Sequence, residues 1–353
     1  MIPFFSIVIA CCDVEQYVRE CLDSVLKQTF TEWECLIGVE TSKDNTEAIV
    51  RGYEVKDSRF RVFTGPRSGS CSASRNTGID IARGEYVIFL DGDDTIGEES
   101  LQRLHDKIMS FPGADLYPCA LKMYNDETKD TIELRDNYPL EVEHELTGPE
   151  AILLTEKYKG IPCPMLQLTV FRLGFLKGHD LKCVYGLRRQ DSEFSPRALY
   201  LAKRVIPLHE LFYLYRIRPN AVGTGAKGTG HFHKDWAIII KSLLAFHASV
   251  SKESSFRREI GQCWARQWIP WIFYFWFYPE NIMSIPRERR VETLKILFSD
   301  GFDDFNLLLN ASSFTKRFAG FWVRLFVSFS SFRWISELFF RGYFALSKVK
   351  NNS

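Results

Sequence analysis

Three aspartates, Asp91, Asp93 and Asp94, stand within four residues at the end of the tract Tyr-Val-Ile-Phe-Leu-Asp-Gly-Asp-Asp that begins at Tyr86. Carboxylates this crowded repel one another unless a cation or a positive partner stands between them, so the residue types point to a divalent-metal site. A second acidic pair, Asp191 and Glu193, opens the helix predicted over Gln190 to Leu201. Acids in the first turn of a helix are ordinary dipole partners, and that reading stands beside a catalytic one. Arg216 and Arg218 alternate at the end of a strand-like tract and share a face. They face an anion, solvent, or the acidic segment from about 125 to 150.

The elements that must hold these groups follow from periodicity. Val87 to Leu90, bounded by Gly84 and Gly92, has the length and character of a strand buried on both faces of a parallel sheet. Ligands of open α/β sheets bind at the carboxyl ends of such strands. Phe4 to Ala10 reads as the first strand, followed by a helix whose start is marked by Asp13 and Gln16 at capping-box spacing. Strands at Trp33 to Val39 and Phe60 to Phe63 alternate with helices at Asn45 to Val55 and Ser72 to Ala82. That alternation predicts a right-handed, parallel, helix-covered α/β sheet. A helix follows at Leu101 to Met109, which Asp91 and Asp94 would cap if they were only structural. Beyond it the pattern predicts a hairpin and loop over the acidic segment and a helix at Thr147 to Thr155. Strands are expected at Met165 to Phe171, Arg204 to Pro207 and Leu211 to Ile217.

Composition excludes several classes. Lys plus Arg (45) nearly balances Asp plus Glu (44) over 353 residues, so no global field points to nucleic acid. Nine cysteines, with no C-x-x-C pair, read as reduced and mostly buried, which argues for the cytosol and against a disulfide framework. The apolar start lacks the basic region and cleavage pattern of a signal peptide. No G-x-G-x-x-G follows the first strand, which disfavours a dinucleotide oxidoreductase, and Gly65 to Ser70 lacks the lysine of a phosphate-binding loop.

From His231 onward the chain is aromatic-rich, with helical runs at about Asp235 to Ala248, Phe256 to Tyr278, Arg287 to Phe298 and Phe314 to Leu346. Two parts are therefore expected, a catalytic domain over 1–225 and a helical region over 226–353. Trp268 to Tyr278 is too short to cross a bilayer, which takes about 20 residues, and Phe314 to Leu346 carries charges along its length. The segment 314–353 has seven Lys or Arg against one acid, Glu337, interleaved with aromatics. Such a segment suits peripheral contact with an anionic membrane, or else packs as core.

Taken in order, several motifs resemble those of the family 2 glycosyltransferases, which have a GT-A fold. Ser6 to Ala10 followed by Asp13-Val14-Glu15-Gln16-Tyr17 is similar to their opening, and Ser72-Ala73-Ser74-Arg75-Asn76-Thr77-Gly78 resembles S-A-A-R-N-x-G. Gly84-Glu85-Tyr86 leading to Phe89-Leu90-Asp91-Gly92-Asp93-Asp94 resembles G-E-Y-I-x-F-L-D-x-D-D, and Tyr215 to Asn220 resembles Y-R-x-R-P-x. The resemblance covers about residues 4 to 225 and implies a GT-A-like, Rossmann-related, mostly parallel sheet with helices on both faces.

It further implies an inverting, metal-dependent transfer of a sugar from a nucleotide-sugar donor to a hydroxyl of a glycan or lipid-linked oligosaccharide. The setting implied is bacterial polysaccharide synthesis at the cytoplasmic face of the inner membrane. Asp93 would bind Mg²⁺ or Mn²⁺ directly, with Asp91 near the ribose or the metal's waters. Asp191 would be the general base, Arg75 would lie on the nucleotide side, Asn76 would tie loops together, and Arg216 and Arg218 would face the diphosphate. The chain departs from the family where V-D-D-G-S-x-D becomes Gly38-Val39-Glu40-Thr41-Ser42-Lys43-Asp44, and where the usual glutamate before the base is Gln190. A proline and an asparagine common after the first strand are Ala10 and Asp13. Ala10 and Glu40 thus enter an altered nucleotide pocket. Two other classes stay open: a degenerate nucleotide-sugar-binding or scaffold protein, and a sugar-phosphate nucleotidyltransferase, which would release pyrophosphate.

Overall fold

Seven consecutive buried residues make β1 (Phe5–Cys11), the strand on which the sheet is built. The computed structural model describes residues 2–218, apart from 137, 143 and 160–164, together with 232–250. Following β1 come α1 (Val18–Leu26), β2 (Trp33–Glu40), α2 (Thr46–Lys56), β3 (Phe60–Gly65), α3 (Ser72–Ile81) and β4 (Tyr86–Asp91). The four strands pair in parallel in the order β3-β2-β1-β4, with Ala10 in register with both Gly38 and Asp91. β1, β2 and nearly all of β4 are buried, as expected of central strands covered on both faces. Each large apolar side chain so buried contributes about 1.5–3 kcal/mol. α3 lies close against β1 because residue 78 is glycine: a Cβ there would sit 2.3 Å from Val8 Cγ1.

The parallel rhythm stops after β4. A two-residue strand, β5 (Thr95–Ile96), precedes α4 (Ser100–Ser110), and the first sheet is then extended by antiparallel pairing of β9 (Thr169–Arg172) with β4 and with β6 (Leu116–Pro118). A second sheet has the order β5-β10-β7-β8, with β7 (Ala120–Asn125), β8 (Thr131–Arg135) and β10 (Leu211–Ile217). β7 and β8 form a hairpin, whose first strand precedes the acidic segment in which a hairpin is expected. The remaining helices are α5 (Gly148–Lys159), α6 (Leu173–Gly178), α7 (Gln190–Leu201) and α8 (Phe232–Ser249). The chain divides into two units, Met1–Ala226 and Lys227–Ser353. α8 belongs to the second, whose other predicted helices and the basic segment 314–353 lie outside the described residues. Among the described residues no helix is long and apolar enough to cross a membrane.

Three local expectations are corrected. Asp13 does not cap a helix: it has φ 52°, α1 starts at Val18 behind Tyr17, and the Asp13 carboxylate instead accepts from the Lys43 N–H at 2.7 Å and pairs with Arg67. Residues 165 to 171 are not one strand, because Leu166–Leu168 form a 3₁₀ turn before β9. Val205 makes only isolated bridges to Leu116 and Leu146 in place of a strand over 204 to 207. A short segment that crosses between neighbours needs no ladder of its own.

Candidate functional site

β4 ends in Asp91, and Gly92 lets the following loop lie against β1. A Cβ at that position would meet Cys11 Sγ at 2.8 Å and the Ala10 carbonyl at 3.2 Å, and the Gly92 N–H donates to that carbonyl. The three aspartates therefore emerge at the carboxyl edge of the sheet, where each meets different partners. Asp91 accepts from Arg75 Nη2 at 2.6 Å on one oxygen and from Gln167 Nε2 at 2.8 Å on the other. Arg75 comes from α3 and is buried, and its guanidinium also reaches Gln190 Oε1 at 3.5 Å. Burial would lower the Arg75 pKa, but the Asp91 charge beside it and neighbouring groups hold it above the ordinary value. Arg75 thus stays charged and spans from Asp91 to the start of α7.

Asp93 receives Nε and Nη2 of Arg218 at 2.9 and 2.7 Å, both on Oδ2. The Arg218 guanidinium also lies 4.8 Å from the Tyr17 ring centroid. Even so, burial and then the nearby Asp91 push the Asp93 carboxyl above the usual carboxylate range. Asp94 does not cap α4, whose preceding residue, Glu99, makes no side-chain cap bond. It is 2% exposed and accepts the Tyr213 hydroxyl at 2.6 Å and the Arg216 N–H at 2.8 Å. Burial, then Asp93 and Asp91, raise its pKa strongly.

Arg216 points into the protein. Its Nε donates to the Asp93 carbonyl at 2.8 Å, Nη2 to Glu20 at 2.7 Å and Nη1 to Asp126, between the rings of Tyr17 and Tyr124. Of the two arginines, only Arg218 stands at a carboxylate of the D-x-D pair. The ion pair with the acidic segment is realised at Arg216 and Asp126.

Asp191 lies in the first turn of α7, half-buried, and among the described residues it has no hydrogen bond or ion pair. Its neighbour Glu193 differs, being buried and paired with Arg197. The loop before α7 is tied to α3. Asn76 exchanges two bonds with the Cys183 backbone, at 2.8 and 2.9 Å, and Ser72 Oγ accepts from the Gly186 N–H at 2.9 Å. These ties bring α7 to the sheet edge. Asn76 holds loops together, as its place in the motif implies.

On the β2 side, Glu40 is buried and accepts from the Ser68 N–H at 2.9 Å and from the Ser68 hydroxyl. With Ala10, Cys12, Asp13 and Arg67 it forms the flank next to β1. Burial raises the thiol pKa of Cys11, and of Cys71 to about 12, which favours the neutral thiol form of both. The seven cysteines among the described residues are all free.

Sequence reasoning missed Tyr213 and Gln167. The bulge between Leu211 and Tyr213 breaks the alternation that would have placed the tyrosine. Gln167 sits in the 3₁₀ turn that was read as strand, and its Oε1 is buried with no partner.

A cation fits this donor set. Among the described residues no three His, Cys, Asp or Glu side chains form a metal cage, but Mg²⁺-type sites use one or two carboxylates plus substrate phosphates and waters. Asp93 is the available one. Both oxygens of Asp91 are already engaged, whereas Arg218 takes a single oxygen of Asp93 and leaves the other open to a cation.

Comparison with known proteins places this geometry. The profile of the glycosyl transferase family 2 matches residues 6–177. The chain is 30% identical over 232 residues to the uncharacterized glycosyltransferase EpsJ of Bacillus subtilis (strain 168), covering 63% of each chain. It is 28% identical over 214 residues to the poly(ribitol-phosphate) beta-N-acetylglucosaminyltransferase TarS of Staphylococcus aureus (strain Mu50 / ATCC 700699), covering 60% of this chain and 35% of that one. These alignments span less than two thirds of either relative. The crystal structure of S. aureus TarS 1-349 in complex with UDP-GlcNAc superposes with a TM-score of 0.66 at 20% identity, over 96% of this chain and 92% of that one. The shared fold is the GT-A-like α/β sheet. Through residues 6–177, the chain belongs to the glycosyl transferase family 2.

Proposed function

We propose that the chain is an inverting, cation-assisted glycosyltransferase. It moves a sugar, of hexose type, from a nucleotide-sugar donor to a hydroxyl of a glycan or lipid-linked acceptor in bacterial polysaccharide biosynthesis. One observation carries this reading: a carboxylate pair at the carboxyl edge of β4 is joined through Arg75 and Gln190 to the start of α7, where Asp191 has no hydrogen bond or ion pair among the described residues.

The parts divide the work. Asp93, with Asp91 beside it, holds Mg²⁺ or Mn²⁺, which offsets charge growing on the leaving nucleoside diphosphate. Arg218, already at Asp93, adds positive charge next to that diphosphate. Asp191 takes the proton of the acceptor hydroxyl as its oxygen attacks the anomeric carbon from the face opposite the leaving group, which inverts the configuration. Arg75 fixes Asp91 and, through Gln190, the start of α7. Glu40 and Ala10 border the nucleotide. Asp126 holds Arg216 inside, so that arginine supports the loop from behind.

A nucleotide-sugar-binding protein without transfer is the second reading, favoured by Gln190 and by the arginines that engage both D-x-D carboxylates. One experiment separates the two. The protein is screened by thermal shift against UDP-, GDP-, dTDP- and CMP-sugars with and without Mn²⁺, starting with UDP-GlcNAc because the TarS fold neighbour was solved with it. Release of the nucleoside diphosphate, or of CMP from a CMP-sugar, is then measured. Metal-dependent release of that nucleotide supports transfer, binding without release supports the second reading, and pyrophosphate release from a nucleoside triphosphate and a sugar 1-phosphate points to nucleotidyltransfer. A basic 314–353 that meets anionic lipid would bring the catalytic unit to a lipid-linked acceptor, and vesicle binding by a chain truncated at residue 313 tests that.

A further inference from the structure

The loop from Asp91 to Asp94 belongs to the first sheet, yet four of the hydrogen bonds that fix its shape come from β10 of the second. The Tyr213 hydroxyl sits between two of its residues. It accepts from the Asp91 N–H at 3.2 Å and donates to Asp94 Oδ2 at 2.6 Å. Because the Asp91 N–H only donates, and the Asp94 carboxyl when ionised only accepts, the direction of both bonds is set in that form, and the hydroxyl has no proton left for solvent. The other Asp94 oxygen takes the Arg216 N–H, and Arg216 Nε takes the Asp93 carbonyl. Tyr213 is fully buried and packs edge-on against Phe212, so the ring has one position.

Tyr213 and Asp94 are both buried. The geometric effect of the arrangement is on Asp93, whose carbonyl and whose neighbours on both sides are pinned while its carboxylate faces Arg218 and the open edge. Asp94 is a costly choice for a purely structural tie, since it places a buried carboxylate beside two half-buried ones, where a neutral side chain would avoid the repulsion. It is the one arrangement here in which a single side chain accepts from both the tyrosine and the β10 backbone.

We infer that Tyr213 and Asp94 form a positioning pair that sets the height and orientation of the Asp91–Asp93 loop for a cation and the diphosphate it accompanies. This rests on the proposed function and assigns to it two residues that do not themselves meet the donor. Tyr213→Phe removes the bridging hydroxyl and keeps the ring. Asp94→Asn keeps the size and retains one acceptor.

The test measures Mn²⁺ binding by paramagnetic resonance titration of the full chain in the presence of UDP, GDP or dTDP. It is set beside metal-free binding of the same nucleotides, the thermal melt, and kcat and KM with the donor identified in the screen above. Tyr213→Phe is expected to weaken Mn²⁺ binding by about tenfold, as the loss of one or two buried hydrogen bonds implies. It should also lower kcat with little change in metal-free nucleotide binding. Asp94→Asn should do the same, and the double variant should be little worse than either, because the two act as one unit.

If the folded Tyr213→Phe protein binds Mn²⁺ as the wild type does, whatever its melting temperature, the inference is wrong while the proposed function stands. If Tyr213→Phe does not fold, Asp94→Asn carries the same comparison. Failure of both to fold assigns the pair to stability and overturns the inference. If the wild type shows no Mn²⁺ binding with any of the three nucleotides, the proposed function fails first and takes this inference with it.

Discussion

Buried carboxylates occur at both ends of the same parallel strands, and the two ends treat them in opposite ways. At the amino-terminal end, Glu34 of β2 accepts from the Ser6 hydroxyl at 2.8 Å, the Arg83 N–H at 2.7 Å and the Arg83 guanidinium at 2.8 and 3.0 Å, with Arg61 at 3.2 Å. Burial alone would raise its pKa, but Ser6 and Arg83 outweigh burial and hold it below the ordinary glutamate value. At the carboxyl end, Asp94 is buried and Asp93 half-buried, and both are hydrogen-bonded, yet their pKa values rise, because desolvation is joined there by repulsion between neighbouring carboxylates. One end has spent its electrostatics on closing the sheet. The other keeps unbalanced negative charge, the condition a site needs if charge stabilisation is to come from its ligand.

The sharpest way to break this comparison is at Asp191. Asp191→Asn should lower kcat by about 10²- to 10⁴-fold, or about 3–5 kcal/mol in the barrier, with an unchanged melt. A normally active variant would move the base elsewhere. Asp93→Asn should cost transfer on the order of 10²- to 10³-fold, as loss of a charge-stabilising group does, while its melting temperature holds or rises because a repelled charge is gone. A clear drop in melting temperature would mean that the carboxyl edge is tied down for stability like the other end.

Glu34→Gln inverts that pattern. It should destabilise by about 1–3 kcal/mol, measured by denaturant unfolding, since donors are left without a charged acceptor, and the folded fraction should bind donor normally. The smallest effect is in pH. A carboxyl whose folded pKa is depressed contributes stability above its unfolded pKa and loses it as pH falls through the folded one, so the advantage of wild type over Glu34→Gln should shrink on acidification below the ordinary glutamate range. At Asp93 the folded pKa is raised, so the penalty of wild type relative to Asp93→Asn should grow as pH rises through it. Parallel pH curves for the two variants would remove the contrast between the ends.

Much of the parallel half was legible because its signals are local. The apolar runs of β1, β2 and β4, the stripe of α1, and glycines where backbone must come close are each complete within a dozen residues. The strand at Leu211 to Ile217 was legible, but its place in a second sheet was not, nor was the antiparallel extension through β9 and β6, since β5 has two residues, β10 carries a bulge, and Leu166–Leu168 turn where apolar character alone reads as strand. The capping-box spacing at Asp13 misled for a related reason. A side-chain oxygen that suits a helix N-terminus suits the Lys43 N–H and Arg67 equally well, and only the long-range contact decides.

The sequence by itself determined that three carboxylates would leave a buried strand at a sheet edge, and that an acidic helix start would supply a fourth. Tertiary structure decided what each carboxylate became. Asp91 is clamped by Arg75 and Gln167, Asp93 faces Arg218, Asp94 is locked by Tyr213, and Asp191 has no hydrogen bond or ion pair among the described residues. Apart from Arg75, 16 residues away, those partners lie 76 to 125 positions along the chain. Periodicity carries no information over such separations, whereas the field at a carboxylate is set by whichever charges and dipoles the fold brings within a few ångströms.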